Sequence, residues 1–105
     1  IAGMPIRCHF HDTRGTAVAN AWAALTEGAA TLDASMGGLG ACPFAPGASG
    51  NVAAEDLLYA LHRSGVETGV SLADMVETSH WLGAIMGRPS ASKIARTSMF
   101  PPATR

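Results

Sequence analysis

The sequence of 105 residues is poor in charged side chains and contains no long apolar run. Charged residues make up 14% of the chain and the formal net charge is −1, so the chain lacks the basic surface that binding to nucleic acids or anionic membranes requires. We therefore expect no nucleic-acid partner and no membrane partner. With 48% hydrophobic residues, the composition predicts a globular chain that forms one domain over residues 1–105.

Cysteine is also scarce, since the sequence contains only Cys8 and Cys42. A chain rich in alanine and glycine with two cysteines is not typical of a small scaffold held together by disulfides, so we expect a reducing compartment. The chain begins at Ile1, inside a predicted turn before a strand. We therefore expect that an N-terminal portion precedes it in a longer protein.

Hydrophobic periodicity predicts a strand, a helix and a second strand in the first third of the chain. The first strand is expected over residues 5–11, and the helix starts at Asp12-Thr13 and ends at Gly28. Alternating side chains predict the second strand over residues 29–35. This order of elements is typical of an α/β fold with a parallel sheet.

Residues 37–51 read GGLGACPFAPGASGN, and five glycines with two prolines predict a loop over most of this stretch. Two helices follow it. The first is predicted to begin at Asn51, as its N-cap residue, and to end at Gly65. The second is predicted to begin at Ser71 and to end at Gly87.

His9 and His11 are the first candidates for chemistry. Because they are two residues apart on a predicted strand, their side chains leave the same face and can converge on one ion. They also lie at the C-terminal end of that strand, where parallel α/β folds gather their active groups. The alternative interpretation is a pair of structural histidines, since the HxH pattern is common.

Cys42 and the glycines around it form a second candidate group. A thiol in a glycine-rich loop can act as an acid or base over a substrate, whereas the alternative is a small apolar filler. Gly37, Gly38 and Gly40 can cradle a phosphate through backbone N–H groups, or can simply make the loop flexible.

Asn51 also has two interpretations. Asparagine is among the best N-cap residues, and a helix is predicted directly after it. Its amide oxygen is also a suitable ligand for Mg²⁺ or Mn²⁺ beside imidazoles.

The segment from His9 to Leu61 closely resembles the 3-hydroxy-3-methylglutaryl-CoA lyase family. The motifs that carry the resemblance are HFHDT, the loop GGLGACPFAPGASGN and the acidic pair that opens the next helix, and the similarity continues through TGVSL and SKIAR. The resemblance implies a TIM-type (β/α)8 barrel, of which this chain supplies the C-terminal portion, about three βα units. It also implies a cytoplasmic enzyme in bacteria, which the residue usage favours, or one of the mitochondrial matrix in eukaryotes.

The family's functional residues map onto this sequence one by one. The resemblance implies that His9, His11 and Asn51 bind Mg²⁺ or Mn²⁺, and that Cys42 and His9 share the acid and base roles. The family's loop over the substrate includes four glycines of this chain: Gly38, Gly40, Gly47 and Gly50. A further aspartate ligand with a neighbouring arginine has no counterpart in these 105 residues.

The implied activity is cleavage of 3-hydroxy-3-methylglutaryl-CoA to acetyl-CoA and acetoacetate, with an acyl-CoA substrate and a homodimer as the full-length enzyme. One alternative is a related aldolase or Claisen-type synthase, such as 2-isopropylmalate or homocitrate synthase, with the same HxH metal site. Cys42 within its loop argues against that alternative. Another is that the isolated chain is a non-catalytic fragment, because a barrel of this kind needs roughly 250 residues.

Overall fold

The structure, a computed structural model, describes residues 3–40, 50–97 and 100–101. These residues have an α/β fold with one short parallel strand pair and three helices, as the sequence predicts. The elements in chain order are β1 (Arg7–Cys8), α1 (Ala17–Thr26), β2 (Thr31–Leu32), a 3-10 turn (Met36–Gly38), α2 (Ala54–Arg63) and α3 (Leu72–Met86).

β1 and β2 pair in parallel, with Arg7 opposite Thr31 and Cys8 opposite Leu32. Both strands are shorter than predicted, because beyond these pairs the chain makes isolated bridges instead of a continuous ladder. Those bridges join His11 to Asn51 and Ser35 to Ala53. The described residues thus contain two βα units followed by a further helix, and the implied extent of about three units stays a prediction.

The hydrophobic core lies between α1, α2 and the segment that leads into α2. Ala17 and Ala21 of α1 are at most 1% exposed, and they cluster with Val52, Leu57 and Leu61. Small residues on α1 let its backbone approach α2 closely, so the larger leucines of α2 fill the space. The partly buried side chains packed against this cluster are Phe10, Val18, Leu25, Leu32 and Val66.

The prediction that Asn51 caps α2 is wrong. The N-cap residue is Ala53, with φ −70° and ψ 127°, and no side chain accepts a hydrogen bond at this helix start. Asn51 lies two residues earlier, and its side chain donates instead to the carbonyl of Leu39. The side chain of Asn51 therefore makes a tertiary contact in place of the helix cap that local propensity predicts.

The predicted start and end of α3 are confirmed. The Ser71 hydroxyl accepts from the backbone N–H of Asp74 at 3.2 Å, and Gly87 ends the helix in the left-handed conformation, with φ 71°. α1 begins later than predicted, at Ala17, but the carboxylate of Asp12 accepts from the Ala17 N–H at 3.1 Å. None of the helices in the described part of the chain is long and apolar enough to span a membrane.

Candidate functional site

His9 and His11 lie directly after β1, and the structure brings their rings together. The ring centroids are 5.2 Å apart and the ring planes are inclined by 58°. Both residues are exposed, as expected of side chains that leave the same face of an extended segment. The two imidazoles are therefore close enough to serve one site, and their role as ligands stays a prediction.

Asp33 contacts His9 from the neighbouring strand. Its Oδ2 lies 3.4 Å from Nδ1 of His9, and its Oδ1 lies 3.1 Å from Nε of Arg7. A carboxylate beside Nδ1 favours the tautomer with its proton there, so the lone pair of Nε2 is left for a ligand or a proton.

Sequence reasoning missed this role of Asp33. The signal is the strand register: because Cys8 pairs with Leu32, the next residues of the two strands, His9 and Asp33, come side by side at the same sheet edge. That register is not visible in the sequence of either strand taken alone.

Backbone hydrogen bonds hold the segment that contains Asn51 beside His11. The N–H of Asp12 donates to the carbonyl of Gly50 at 2.9 Å, and the N–H of Val52 donates to the carbonyl of Phe10 at 3.1 Å. These two bonds place Asn51 opposite His11 in an antiparallel bridge. The chain thus brings Asn51 to the same edge of the sheet as His11, and its role as a ligand stays a prediction.

In the side-chain amide of Asn51, the nitrogen has a hydrogen-bond partner among the described residues and the oxygen does not. Its Nδ2 donates to the carbonyl of Leu39 at 2.8 Å. Its Oδ1 is buried and has no hydrogen-bond partner within residues 3–40, 50–97 and 100–101. A buried oxygen without a partner costs about 1–3 kcal/mol, so this atom indicates a place for a cation or a donor that the described residues do not provide.

Glycines are required around Asn51 because the backbone packs tightly there. A Cβ at Gly40 would lie 2.7 Å from Nδ2 of Asn51. A Cβ at Gly50, where φ is +91°, would overlap the carbonyl oxygen of Gly40 and lie 2.7 Å from that of Gly38. These glycines therefore allow residues 40 and 50, both within the predicted loop, to approach each other closely.

The phosphate-binding interpretation finds no support at Gly37 and Gly38. The N–H of Gly37 donates to the carboxylate of Glu55, and the N–H of Gly38 donates to the carbonyl of Ser35. Both donors are thus already occupied inside the chain. The remaining candidates of the loop, Cys42 and Gly47, lie outside the described residues, and their roles stay predictions.

The donors that could hold a divalent cation are two imidazoles and one amide oxygen. Among the described residues, no group of three or more His, Cys, Asp or Glu side chains is arranged to bind a metal. The set made of His9, His11 and Asn51 depends on its amide oxygen as the third donor. Nitrogen and neutral oxygen donors suit a borderline or hard divalent cation, and three of them leave positions for a substrate or for ligands from elsewhere in the protein.

Glu55, on the first turn of α2, is the second residue that sequence reasoning missed. It lies at the positive end of the helix dipole, where an exposed acid is common and favourable, but it is 0% exposed. Its carboxylate accepts from the N–H of Gly37 and from the hydroxyl of Ser79. No local pattern distinguishes such an acid from the solvated Glu or Asp that commonly begins a helix.

The chain is similar in sequence to known proteins. The family described as HMGL-like matches residues 2–82. Hydroxymethylglutaryl-CoA lyase YngG of Bacillus subtilis is 48% identical over 88 residues, which make up 84% of this chain and 29% of that protein. (R)-citramalyl-CoA lyase of Chloroflexus aurantiacus is 41% identical over 102 residues, which make up 97% of this chain and 32% of that protein.

The chain is also similar to a solved structure of a lyase. An HMG-CoA lyase from Acinetobacter baumannii in complex with coenzyme A and 3-methylmalate has a TM-score of 0.85 at 39% identity, and the match covers 94% of this chain and 32% of that one. The chain thus spans about a third of the length of the proteins that it matches. The resemblance seen in the sequence motifs is confirmed, and the chain belongs to the HMGL-like family.

Proposed function

We propose that the polypeptide containing this chain is a divalent-metal-dependent carbon–carbon lyase that cleaves 3-hydroxy-3-methylglutaryl-CoA to acetyl-CoA and acetoacetate. The observation that carries the proposal is the buried Oδ1 of Asn51, which has no hydrogen-bond partner among the described residues. The backbone of Asn51 bridges to His11, whose ring lies beside that of His9. Membership of the HMGL-like family supports it, as does the coenzyme A present in the structure of the A. baumannii lyase.

The donors fit Mg²⁺ or Mn²⁺, with His9, His11 and Asn51 as the residues that would hold the ion. When bound, such an ion supplies Lewis acidity and a template for the oxygens of the substrate. The protein's contribution is to fix the donors beforehand. The amide of Asn51 is held through Nδ2, and the ring of His9 is held by Asp33 at Nδ1.

Cleavage of a tertiary 3-hydroxyacyl thioester requires two proton transfers. The hydroxyl proton leaves as the carbon–carbon bond breaks, and the carbanion of the departing acetyl-CoA then gains a proton. We propose that Cys42 donates the second proton and that His9 accepts the first if its free nitrogen does not bind the ion. The base gains one proton and Cys42 loses one, so the enzyme's total proton count is unchanged after both transfers.

The contact with Asp33 limits what His9 can do. Since Nδ1 faces a carboxylate, the role of ligand and the role of base both require Nε2. One imidazole nitrogen cannot hold a cation and a proton at the same time. The two roles therefore make different predictions for a His9 variant, which are given in the Discussion.

The whole protein is proposed to be a (β/α)8 barrel in which this chain forms the C-terminal portion of about three βα units. β1 pairs with β2 alone among the described strands, and Met4 and Ile6, which precede β1, are 61% and 51% exposed. An open sheet edge with exposed apolar residues needs a covering element. We infer that strands from the remainder of the polypeptide pair there, so the isolated chain lacks part of the barrel and is inactive. We also propose that the full enzyme forms a homodimer.

A second candidate substrate is citramalyl-CoA. The observation that favours it is the 41% identity to (R)-citramalyl-CoA lyase over 97% of the chain. Both substrates carry a tertiary hydroxyl group next to the bond that breaks, so the same residues serve either reaction. The products differ, because cleavage of citramalyl-CoA releases pyruvate in place of acetoacetate.

The experiment measures acetoacetate and pyruvate release by the full-length polypeptide with each thioester, in Mg²⁺ and in a chelator. Mg²⁺-dependent acetoacetate release is the expected result, and pyruvate release alone would favour the second candidate. Metal binding without cleavage of either thioester would contradict both and favour a synthase of the same metal type. The test for a synthase is bond formation between acetyl-CoA and a 2-oxoacid.

A further inference from the structure

Glu55 has the largest side chain among the fully buried residues that the structure describes, and it is an acid. Within residues 3–40, 50–97 and 100–101, no lysine, arginine or histidine forms an ion pair with it. A carboxylate without water or a cation is costly to bury unless hydrogen bonds compensate it. The buried carboxylate of Glu55 therefore requires hydrogen bonds from its surroundings.

The compensation comes from three separate segments. The N–H of Gly37 lies 2.9 and 3.1 Å from the two carboxylate oxygens of Glu55. The hydroxyl of Ser79, on α3, donates to Oε2 at 3.2 Å, and that of Ser90 is 3.5 Å from the same oxygen. Glu55 thus ties the 3-10 turn after β2 to α3 and to the segment that follows α3.

The 3-10 turn leads directly to Asn51. Two residues after Gly37, the carbonyl of Leu39 accepts the hydrogen bond from Nδ2 of Asn51 at 2.8 Å. Gly40 packs directly against this contact, since a Cβ there would lie 2.7 Å from the same Nδ2. Because the amide group is planar, a fixed Nδ2 also fixes the direction of Oδ1, the buried oxygen that has no partner among the described residues.

We propose that Glu55 is a positioning residue for the metal site, acting through Gly37 and Leu39 to orient the amide oxygen of Asn51. The proposal rests on the proposed function in one respect, the assignment of that oxygen as a metal ligand. Glu55 touches neither the ion nor the substrate in this account. Its effect is to hold the turn whose carbonyl holds the ligand.

Three substitutions in the full-length polypeptide distinguish the effect of the length of the Glu55 side chain from the effect of its charge. Glu55→Ala removes the carboxylate, and Glu55→Asp keeps the charge but shortens the side chain by one methylene. Glu55→Gln keeps the length and one oxygen for the Gly37 N–H, and its amide can donate to the serine hydroxyls. The matched control is Asp56→Ala, because the carboxylate of Asp56 holds the turn at Ser92 and Ile94 and has no contact with Gly37.

Two measurements are made on each variant. The first is Mn²⁺ affinity, by electron paramagnetic resonance or calorimetry, with the melting temperature recorded on the same samples. The second is the side-chain amide signal of Asn51, by nuclear magnetic resonance of the metal-free protein labelled with ¹⁵N-asparagine and assigned with Asn51→Ala. This signal reports the hydrogen bond to Leu39 without any metal.

We expect Glu55→Ala and Glu55→Asp to shift the Asn51 amide signal and to weaken Mn²⁺ binding at least about tenfold. Glu55→Gln is expected to keep the signal and to retain an affinity within about threefold of the parent protein. Asp56→Ala is expected to lower the melting temperature without moving either measurement. If Glu55→Ala does not fold, the comparison of Glu55→Asp with Glu55→Gln decides.

An unmoved Asn51 signal in folded Glu55→Asp or Glu55→Ala overturns the positioning role, as does an equal shift in Asp56→Ala. Failure of the proposed function looks different. In that case the Asn51 signal still moves in the Glu55 variants, but the parent protein does not bind Mn²⁺, or Asn51→Ala binds it as tightly as the parent does.

Discussion

Oδ2 of Asp33 lies 3.4 Å from Nδ1 of His9, across the parallel pair of β1 and β2. A carboxylate in this place orients the imidazole and leaves Nε2 for the metal. We expect Asp33→Ala in the full-length polypeptide to weaken Mn²⁺ binding by roughly 10- to 100-fold. Asp33→Asn keeps an oxygen that can accept from Nδ1, so its loss of affinity should be smaller, and calorimetry compares the two.

The ion pair of Asp33 with Arg7 provides the control. Arg7 is exposed and contacts the other carboxylate oxygen, so Arg7→Gln should change Mn²⁺ affinity by less than about threefold, as expected for an exposed ion pair. Equal affinities in Asp33→Ala and the parent protein would show that the contact with His9 has no role in metal binding.

Substitution of His9 distinguishes its two proposed roles. If Nε2 is a ligand, His9→Ala weakens Mn²⁺ binding at least about tenfold and the rate loss is partly recovered at high Mn²⁺ concentration. If Nε2 is the base, the variant binds Mn²⁺ normally and kcat falls by roughly 10²- to 10⁴-fold at every metal concentration. Titration of the variant with Mn²⁺, followed by rate measurements, decides between these outcomes.

Gly50 is predicted to tolerate no side chain. Its φ of +91° disfavours one, and a Cβ would overlap the carbonyl oxygen of Gly40. We expect Gly50→Ala to destabilise the full-length polypeptide by about 2–4 kcal/mol, from backbone strain and overpacking together. Gly65→Ala is the matched control, because its φ is +83° but nothing lies within 4 Å of its Cβ. Urea midpoints that shift equally would show that the close approach at Gly50 is unimportant.

The N-cap residues of α3 and α1 form another matched pair. The hydroxyl of Ser71 accepts from the N–H of Asp74, whereas Thr16, the N-cap residue of α1, makes no side-chain capping bond. Ser71→Ala should cost about 1 kcal/mol and Thr16→Ala a few tenths. Urea denaturation measures both, and a larger loss at Thr16 would contradict the capping assignments.

Local chemistry determines which of these features could be predicted from the sequence. The bounds of α3 were predicted because a serine cap and a terminal glycine act within a few residues. The cap of α2 was predicted wrongly because the side chain of Asn51 bonds to Leu39, which lies 12 residues away. The burial of Glu55 depends on Gly37, Ser79 and Ser90 at once, and no spacing within the helix reveals it.

The site shows the same division. The pairing of His9 with His11 follows from strand alternation alone, and their proximity could be predicted. The contact of Asp33 with His9 requires the register of two strands. The position of Asn51 requires the chain to return to His11 after a loop whose path the sequence pattern does not define. Motif resemblance supplied the position of Asn51 where periodicity did not.

The central claim is that Oδ1 of Asn51 joins His9 and His11 in one metal site, and Mn²⁺ affinity of the Asn51→Ala variant tests it most directly. The measurement uses the full-length polypeptide, with Asn20→Ala as control because Asn20 is an exposed residue of α1. The account predicts a loss of at least about tenfold for Asn51→Ala and none for Asn20→Ala. A folded Asn51→Ala variant that binds Mn²⁺ as tightly as the parent protein would contradict it.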